Sequence, residues 1–230
     1  MNASDRLNSA RLAAFEGRHE EALSEYLWFH GHALEQEPSQ YGVRLSFALA
    51  YWVELGEAYP KAKRILREIR DKKTTSLLRG EGNREIFHDV ESINRAMGCS
   101  SQTYLLFVQL VSCNPVLAES CSRIALPAIV EAGDYHLAAR YLSEPENRIE
   151  KLCEFLNQDI EKLKQFPRSR APMRKAHIHV YVSQVQLIVS VLAGLGQSED
   201  ADRLKTQASK LVKSPTARRD VRAALASNGE

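Results

Sequence analysis

The chain has 230 residues, of which 44% are hydrophobic and 26% charged, and its net charge is +2. Those proportions allow a buried core, and eight prolines with eleven glycines exclude a disordered or collagen-like chain. The charge is uneven: −4 over residues 1–40, +3 over 41–100, −4 over 101–163 and +7 over 164–230, so the C-terminal stretch would attract an acidic partner.

The N-terminal segment MNASDRLNSARLAAFEG lacks an apolar signal core and carries Asp5 and Glu16, which implies no signal peptide. Helices are expected near 4–16 and 19–35, closed by Pro38, and near 41–55 and 58–72. Residues 74–83, with Gly80 and Gly82, read as a loop with room for one helical turn. A helix over 84–97 follows from the stripe Ile86, Val90, Ile93 and Met97. Ser100 or Ser101 caps a helix to about 112. Asn114 and Pro115 open another to about 132, with a kink expected at Pro127. A short helix over 135–142 precedes one starting at Ser143, whose apolar face is Ile149, Leu152, Phe155, Leu156 and Leu163.

QFPRSRAPM (165–173) reads as a hinge. Helices over 174–195 and 198–212 follow, and Ser214-Pro215 caps a last one to about 226. The most apolar stretch, 180–196, contains Ser183, Gln184 and Gln186. It falls short of the roughly 20 apolar residues that span a bilayer and reads as a buried helix. Its comb of Ile178, Val182, Val185, Val189 and Leu192 favours helix over strand. With no strand signal elsewhere, the expected class is all-α.

One punctuation recurs. Gly17 precedes Ala22 by five residues, as Gly133 precedes Ala138 and Gly196 precedes Ala201; Gly56 precedes Ala62 by six. Glycine reaches the left-handed conformation that ends a helix, and a small residue early in the next helix lets two backbones approach. Each of these four glycines is therefore expected to close a helix hairpin. GRHEEALSEYLWF and GDYHLAARYL, with Ala10 in the first helix, resemble the tetratricopeptide repeat family. The glycines at 17, 56, 98, 133 and 196 are spaced by 39, 42, 35 and 63 residues instead of a steady 34, so the likeness is one of turns. YGVRLSFALAYWVELGEAYP and FHDVESINR resemble small bacterial proteins described only as tetratricopeptide-like.

Signals for chemistry are sparse. The pairs His30/His32 and His177/His179 would face apart on helices and make poor metal ligands. Glu85-x-x-His88 is a single copy of a pattern that di-iron bundles use twice, and its plain reading is a solvated helix face. The four cysteines, at 99, 113, 121 and 153, lack the two-residue spacing of a zinc or redox motif and suit reduced thiols. No phosphate-binding glycine motif or nucleophile elbow occurs. KAKRILREIRDKK (61–73) makes a basic stripe interleaved with Glu68 and Asp71.

The expectation is a right-handed α-α superhelix of ten to twelve helices stacked as hairpins. It forms one domain over 1–230, or two parts, 1–164 and 174–230, about the hinge. The resemblance implies a concave groove that docks a peptide or helix of a partner protein. Tyr41, Arg44, Tyr51, His88 and Arg95 are the expected partner-binding residues, with Trp52 assigned to the core; the aromatic and arginine mixture suits interface anchors. The alternatives are a nucleic-acid-binding or regulatory module using 61–73 and the basic C-terminal region, and a metal-dependent enzyme built on Glu85, His88 and Asp89. The reading invokes no cofactor, no metal and no membrane, is compatible with homo-oligomers, and places the chain in the cytoplasm.

Overall fold

The computed structural model describes residues 2–166 and 170–226. It is all-α: thirteen α-helices and two 3-10 turns, with no strand among the described residues. The chain divides into two compact units, Met1–Ala128 and Ile129–Glu230. That division falls inside a helix, where no loop residues mark it. Of the expected hinge, residues 167–169 lie outside the described residues.

The first unit begins with α1 (Ala3–Phe15) and α2 (His19–Gln36). Asn2 and Asp5 form a capping box that starts α1. Gly17, at φ +77°, ends it, and the Arg18 amide then donates to the Ala13 carbonyl at 2.8 Å. The seam is made of methyl groups: Ala3, Ala10 and Ala13 meet a face of α2 that includes Ala22, Tyr26, Phe29 and Ala33, all buried. After a 3-10 turn at Pro38–Gln40 come α3 (Tyr41–Arg44), α4 (Phe47–Ala58), α5 (Pro60–Leu78), α6 (Arg84–Ala96) and α7 (Ser100–Cys113). Successive helices pack on one another: α1 on α2, α2 on α4, α4 on α5, α5 on α6 and α6 on α7. Trp52 of α4 stacks on Tyr26 with ring centroids 6.1 Å apart, and its indole N–H donates to the Ala62 carbonyl at 3.0 Å. A buried Trp so satisfied combines a large apolar area with a paired polar atom. α8 (Pro115–Glu131) follows, with Pro127 inside it.

Three local expectations are corrected here. Gly56 does not close a hairpin; it lies inside α4, and the turn is made by Tyr59 (φ −133°, ψ 86°) with Pro60 opening α5. Gly56 is instead a point of close approach: a Cβ there would stand 2.8 Å from Cβ of Lys63 on α5. Gly17, Gly133 and Gly196 do sit at positive φ in turns, as do Gly80 and Gly98. The single helix expected over 41–55 is broken at Leu45–Ser46, where Ser46 Oγ donates back to the Gly42 carbonyl at 2.6 Å. Such a hydroxyl offers the backbone an alternative to the helical ladder. α5 continues to Leu78, through much of the expected loop, because buried Leu77 gives it an apolar anchor.

The second unit contains α9 (Tyr135–Arg140), α10 (Pro145–Lys162), α11 (Arg170–Gly194), α12 (Ser198–Leu211) and α13 (Pro215–Ala226). α11 is its hub, packing against α9, α10, α12 and α13. Tyr181, Val185, Ile188 and Val191 are buried along it, and the Tyr181 hydroxyl donates to the Ala208 carbonyl at 2.9 Å. Ala171–Gly194 is long and apolar enough, by length and composition, to cross a membrane, in contrast to the shorter apolar span expected over 180–196. Gly194 lets the Tyr135 ring lie against the backbone, where a Cβ would fall 2.2 Å from it. Glu144 takes the left-handed conformation (φ 48°) just before Pro145. All four cysteines are free; Cys121 and Cys153 are buried, and burial pushes both thiols up.

Candidate functional site: a buried charge cluster in the first unit

The break after α3 turns Arg44 inward. Its guanidinium donates through Nη2 to Asp89 Oδ1 on α6 and through Nη1 to the His30 carbonyl on α2 at 3.2 Å. Asp89 Oδ2 accepts from Lys73 Nζ of α5 at 2.6 Å. One carboxylate thus holds two cations, and four helices meet at it. Arg44 and Asp89 keep only 8% and 7% of their side-chain surface exposed, whereas Lys73 keeps 28%. Burial pushes the Asp89 carboxyl up, but the hydrogen bonds and charges of Arg44 and Lys73 outweigh it, so the net shift is downward.

His30 closes the inner side. Arg44 Nη1 lies 3.5 Å from its Nδ1. A guanidinium carries only donors, so Nδ1 faces it with its lone pair and Nε2 carries the proton. That Nε2, like Arg44 Nε, is buried and without a hydrogen-bond partner. The ring stands edge-on to Trp52 at 6.1 Å. Burial, seconded by Arg44, lowers the His30 pKa to about 4, so the imidazole is neutral at physiological pH.

At the outer side, the Tyr41 hydroxyl and His88 Nδ1 form a 2.8 Å hydrogen bond. Burial lowers the His88 pKa, and burial together with Asp89 raises that of Tyr41. Arg95 donates to the Leu45 carbonyl at 3.3 Å and to Glu91 Oε1 at 3.0 Å, bracing α6 against the break. A second polar link lies one turn further along α6: Arg70 donates to Asn94 Oδ1 at 3.0 Å, and Asn94 Nδ2 donates to Thr103 Oγ1 at 3.1 Å.

Of the five expected partner-binding residues, four therefore gather around α3 and α6: Tyr41, Arg44, His88 and Arg95. Tyr51 stands apart, with the Arg11 guanidinium 4.2 Å over its ring. Arg44 is not a displayed groove residue; it is spent on Asp89. Sequence reasoning also missed Asp89 and Lys73 as one unit. The expected stripe of α6 was 86, 90, 93 and 97, yet the buried set is Phe87, Asp89, Val90, Ser92, Ile93 and Asn94. Phe87, three residues before Val90 and larger than Ile86, was the available sign of a wider buried arc.

The basic stripe over 61–73 is largely neutralised by its own surroundings. Lys61 pairs with Glu20, Lys63 with Glu57, Arg64 with Glu68, Arg70 with Asp71 and Lys73 with Asp89. Among the described residues, no group of three or more His, Cys, Asp and Glu side chains is placed to hold a metal ion. Chemically, the cluster offers fixed charges and one hydrogen-bonded Tyr–His pair at its rim. No protein-family model, curated protein or solved structure matches the chain.

Proposed function

We propose that the chain is a non-enzymatic protein-interaction module, and that the surface over α3 and α6 docks a peptide or helix of a partner protein. The observation that carries this reading is the way Asp89 anchors α3. A four-residue helix too short to be stable alone is held by a buried ion pair, so that Tyr41, His88 and Arg95 are presented from a fixed backbone. Rigid presentation of aromatic and arginine side chains lowers the ordering cost of binding. The succession of neighbour-on-neighbour helices α1 to α7 supports reading this unit as a right-handed, tetratricopeptide-like stack. The free cysteines fit a reducing, cytoplasmic setting.

The test is comparative capture from the native cell, read by quantitative mass spectrometry, using the intact chain and a Tyr41→Ala/Arg95→Glu variant. A protein enriched by the intact chain and depleted at least tenfold with the variant, at unchanged helical circular dichroism, supports the site. Capture of the same proteins in the same amounts by both chains refutes it.

A further inference from the structure

The second unit carries a site of different character. Two adjoining cavities, of about 270 and 290 Å³, share Lys205 and Leu225 and open where α11, α12 and α13 meet. The first takes Gln186 and Ser190 from α11; the second takes Thr206 and Lys210 from α12 and Arg222 from α13. Among the described residues, no carboxylate lines either one. A neighbouring depression, lined by Asp202, shares Thr206 and Lys210 with the second cavity.

We propose that this cleft binds a small phosphate-bearing molecule, a phosphomonoester or diphosphate. Three observations converge on it. First, Lys205, Lys210 and Arg222 make no side-chain hydrogen bond or ion pair with the described residues, and no acidic group among those residues lines the cleft to offset them. Two arginines of the same unit, by contrast, are paired: Arg174 with Asp220 at 2.7 Å, and Arg203 with Asp200 and Glu146 at 2.8 and 3.1 Å. Three like charges lining one cleft favour an anion among them over a cation.

Second, the amide nitrogen of Gln186 is buried and without an acceptor. A buried donor left unpaired costs about 1–3 kcal/mol, and a small turn of the Gln186 side chain, which lines the first cavity, would offer it to a ligand's acceptor. Third, the remaining lining is suited to the rest of such a ligand. Lysines supply point charges, and arginine supplies a planar fork that matches phosphate oxygens in pairs. Buried Leu225 gives an apolar floor for a carbon skeleton. Cavities of this size take one or two phosphoryl groups and a short organic body, not the run of phosphates along a nucleic-acid strand. The site is independent of the docking surface on α3 and α6, and neither proposal depends on the other.

Calorimetric titration of the full chain with pyrophosphate, and separately with inorganic phosphate, tests the proposal. Pyrophosphate should bind at one site per chain, with Kd below about 1 mM. Lys205→Met keeps the apolar stem of a half-buried side chain, and Arg222→Gln alters an exposed one, so both variants should fold with unchanged circular dichroism. Each should weaken pyrophosphate at least about tenfold, while Lys162→Met on α10 leaves it unchanged. No heat with millimolar pyrophosphate overturns the proposal, as does equal affinity in all the variants. A single-stranded oligonucleotide that binds tighter than pyrophosphate and is lost in the same two variants also overturns it, in favour of a nucleic-acid site.

Discussion

Asp89→Ala should be the most damaging single substitution in the polar part of the first unit. It removes one carboxylate and strands two cations, and the two are not equivalent. Lys73 keeps 28% of its side chain exposed and can rehydrate, so its loss of a partner is modest. Arg44, at 8%, cannot. Breaking a buried ion pair by deleting one member costs about 3–5 kcal/mol, because the survivor stays buried and uncompensated. With a urea slope of about 2 kcal/mol per molar, a cost of about 4 kcal/mol lowers the unfolding midpoint by about 2 M. Both tryptophans, Trp28 and Trp52, lie in this unit, so tryptophan fluorescence follows its unfolding selectively. Lys73→Met should cost less, about 1–2 kcal/mol, since Asp89 keeps Arg44. The pair Arg44→Met/Asp89→Leu should recover most of the loss by replacing the ion pair with apolar volume. A midpoint shift below about 0.5 M for Asp89→Ala, or one no larger than that of Lys73→Met, would refute the reasoning.

His30 makes the same unit acid-sensitive. Its folded pKa is depressed to about 4 against about 6.5 in the unfolded chain. Between those values the unfolded state binds the extra proton, so stability is full above pH 6.5 and falls as pH drops toward 4, by roughly 3 kcal/mol in all. His30→Gln should flatten that part of the stability–pH curve. Asp89, whose folded pKa is also depressed, contributes stability that is lost only at lower pH, below its unfolded value of about 3.9. Gly56→Ala should destabilise by about 1–3 kcal/mol through overpacking against Lys63, and Gly56→Asn by more. At Gly17, where the space is open but φ is positive, asparagine should be tolerated better than alanine; chemical denaturation of the four variants would separate the two causes. Gly194→Ala should destabilise the second unit, and Tyr135→Ala in the same chain should relieve part of that cost, since the clash is with that ring.

The helical class and most helix limits were legible because apolar spacing and end signals agree locally. The Asn114 side chain accepts from a backbone amide at the start of α8, as its place before Pro115 suggests; Asn2, Asn83 and Asp134 do the same at helix starts where no cap was expected, and the cap expected at Ser100 or Ser101 is not made, since Cys99 precedes α7 without a side-chain hydrogen bond. The failures share one physical origin. Gly56 resembles the turn glycines in its neighbours, but whether a glycine bends the chain or admits another helix depends on what packs against it. The Arg44–Asp89 pair joins residues 45 apart in sequence, and nothing local in REIFHDVES distinguishes a buried aspartate from a solvated one. Tyr41, His88 and Arg95 were named as separate candidates; that they share one neighbourhood, and that Tyr51 does not, follows from the kink at Leu45–Ser46. The cationic cleft was visible only as an excess of positive charge after residue 164, without the helix crossings that concentrate it.

The two units distribute their contacts in opposite ways, and this bears on how each comes apart. In the first, helices α1 to α7 pack chiefly on their neighbours along the chain, so a terminal helix should be able to detach while the others persist, as a row of dominoes survives the removal of its last piece. In the second, α11 is the common neighbour of α9, α10, α12 and α13, and no flank is complete without it. Unravelling there should be all-or-none. A slow, graded opening on one side and a single abrupt one on the other would appear in the same molecule as two classes of amide exchange.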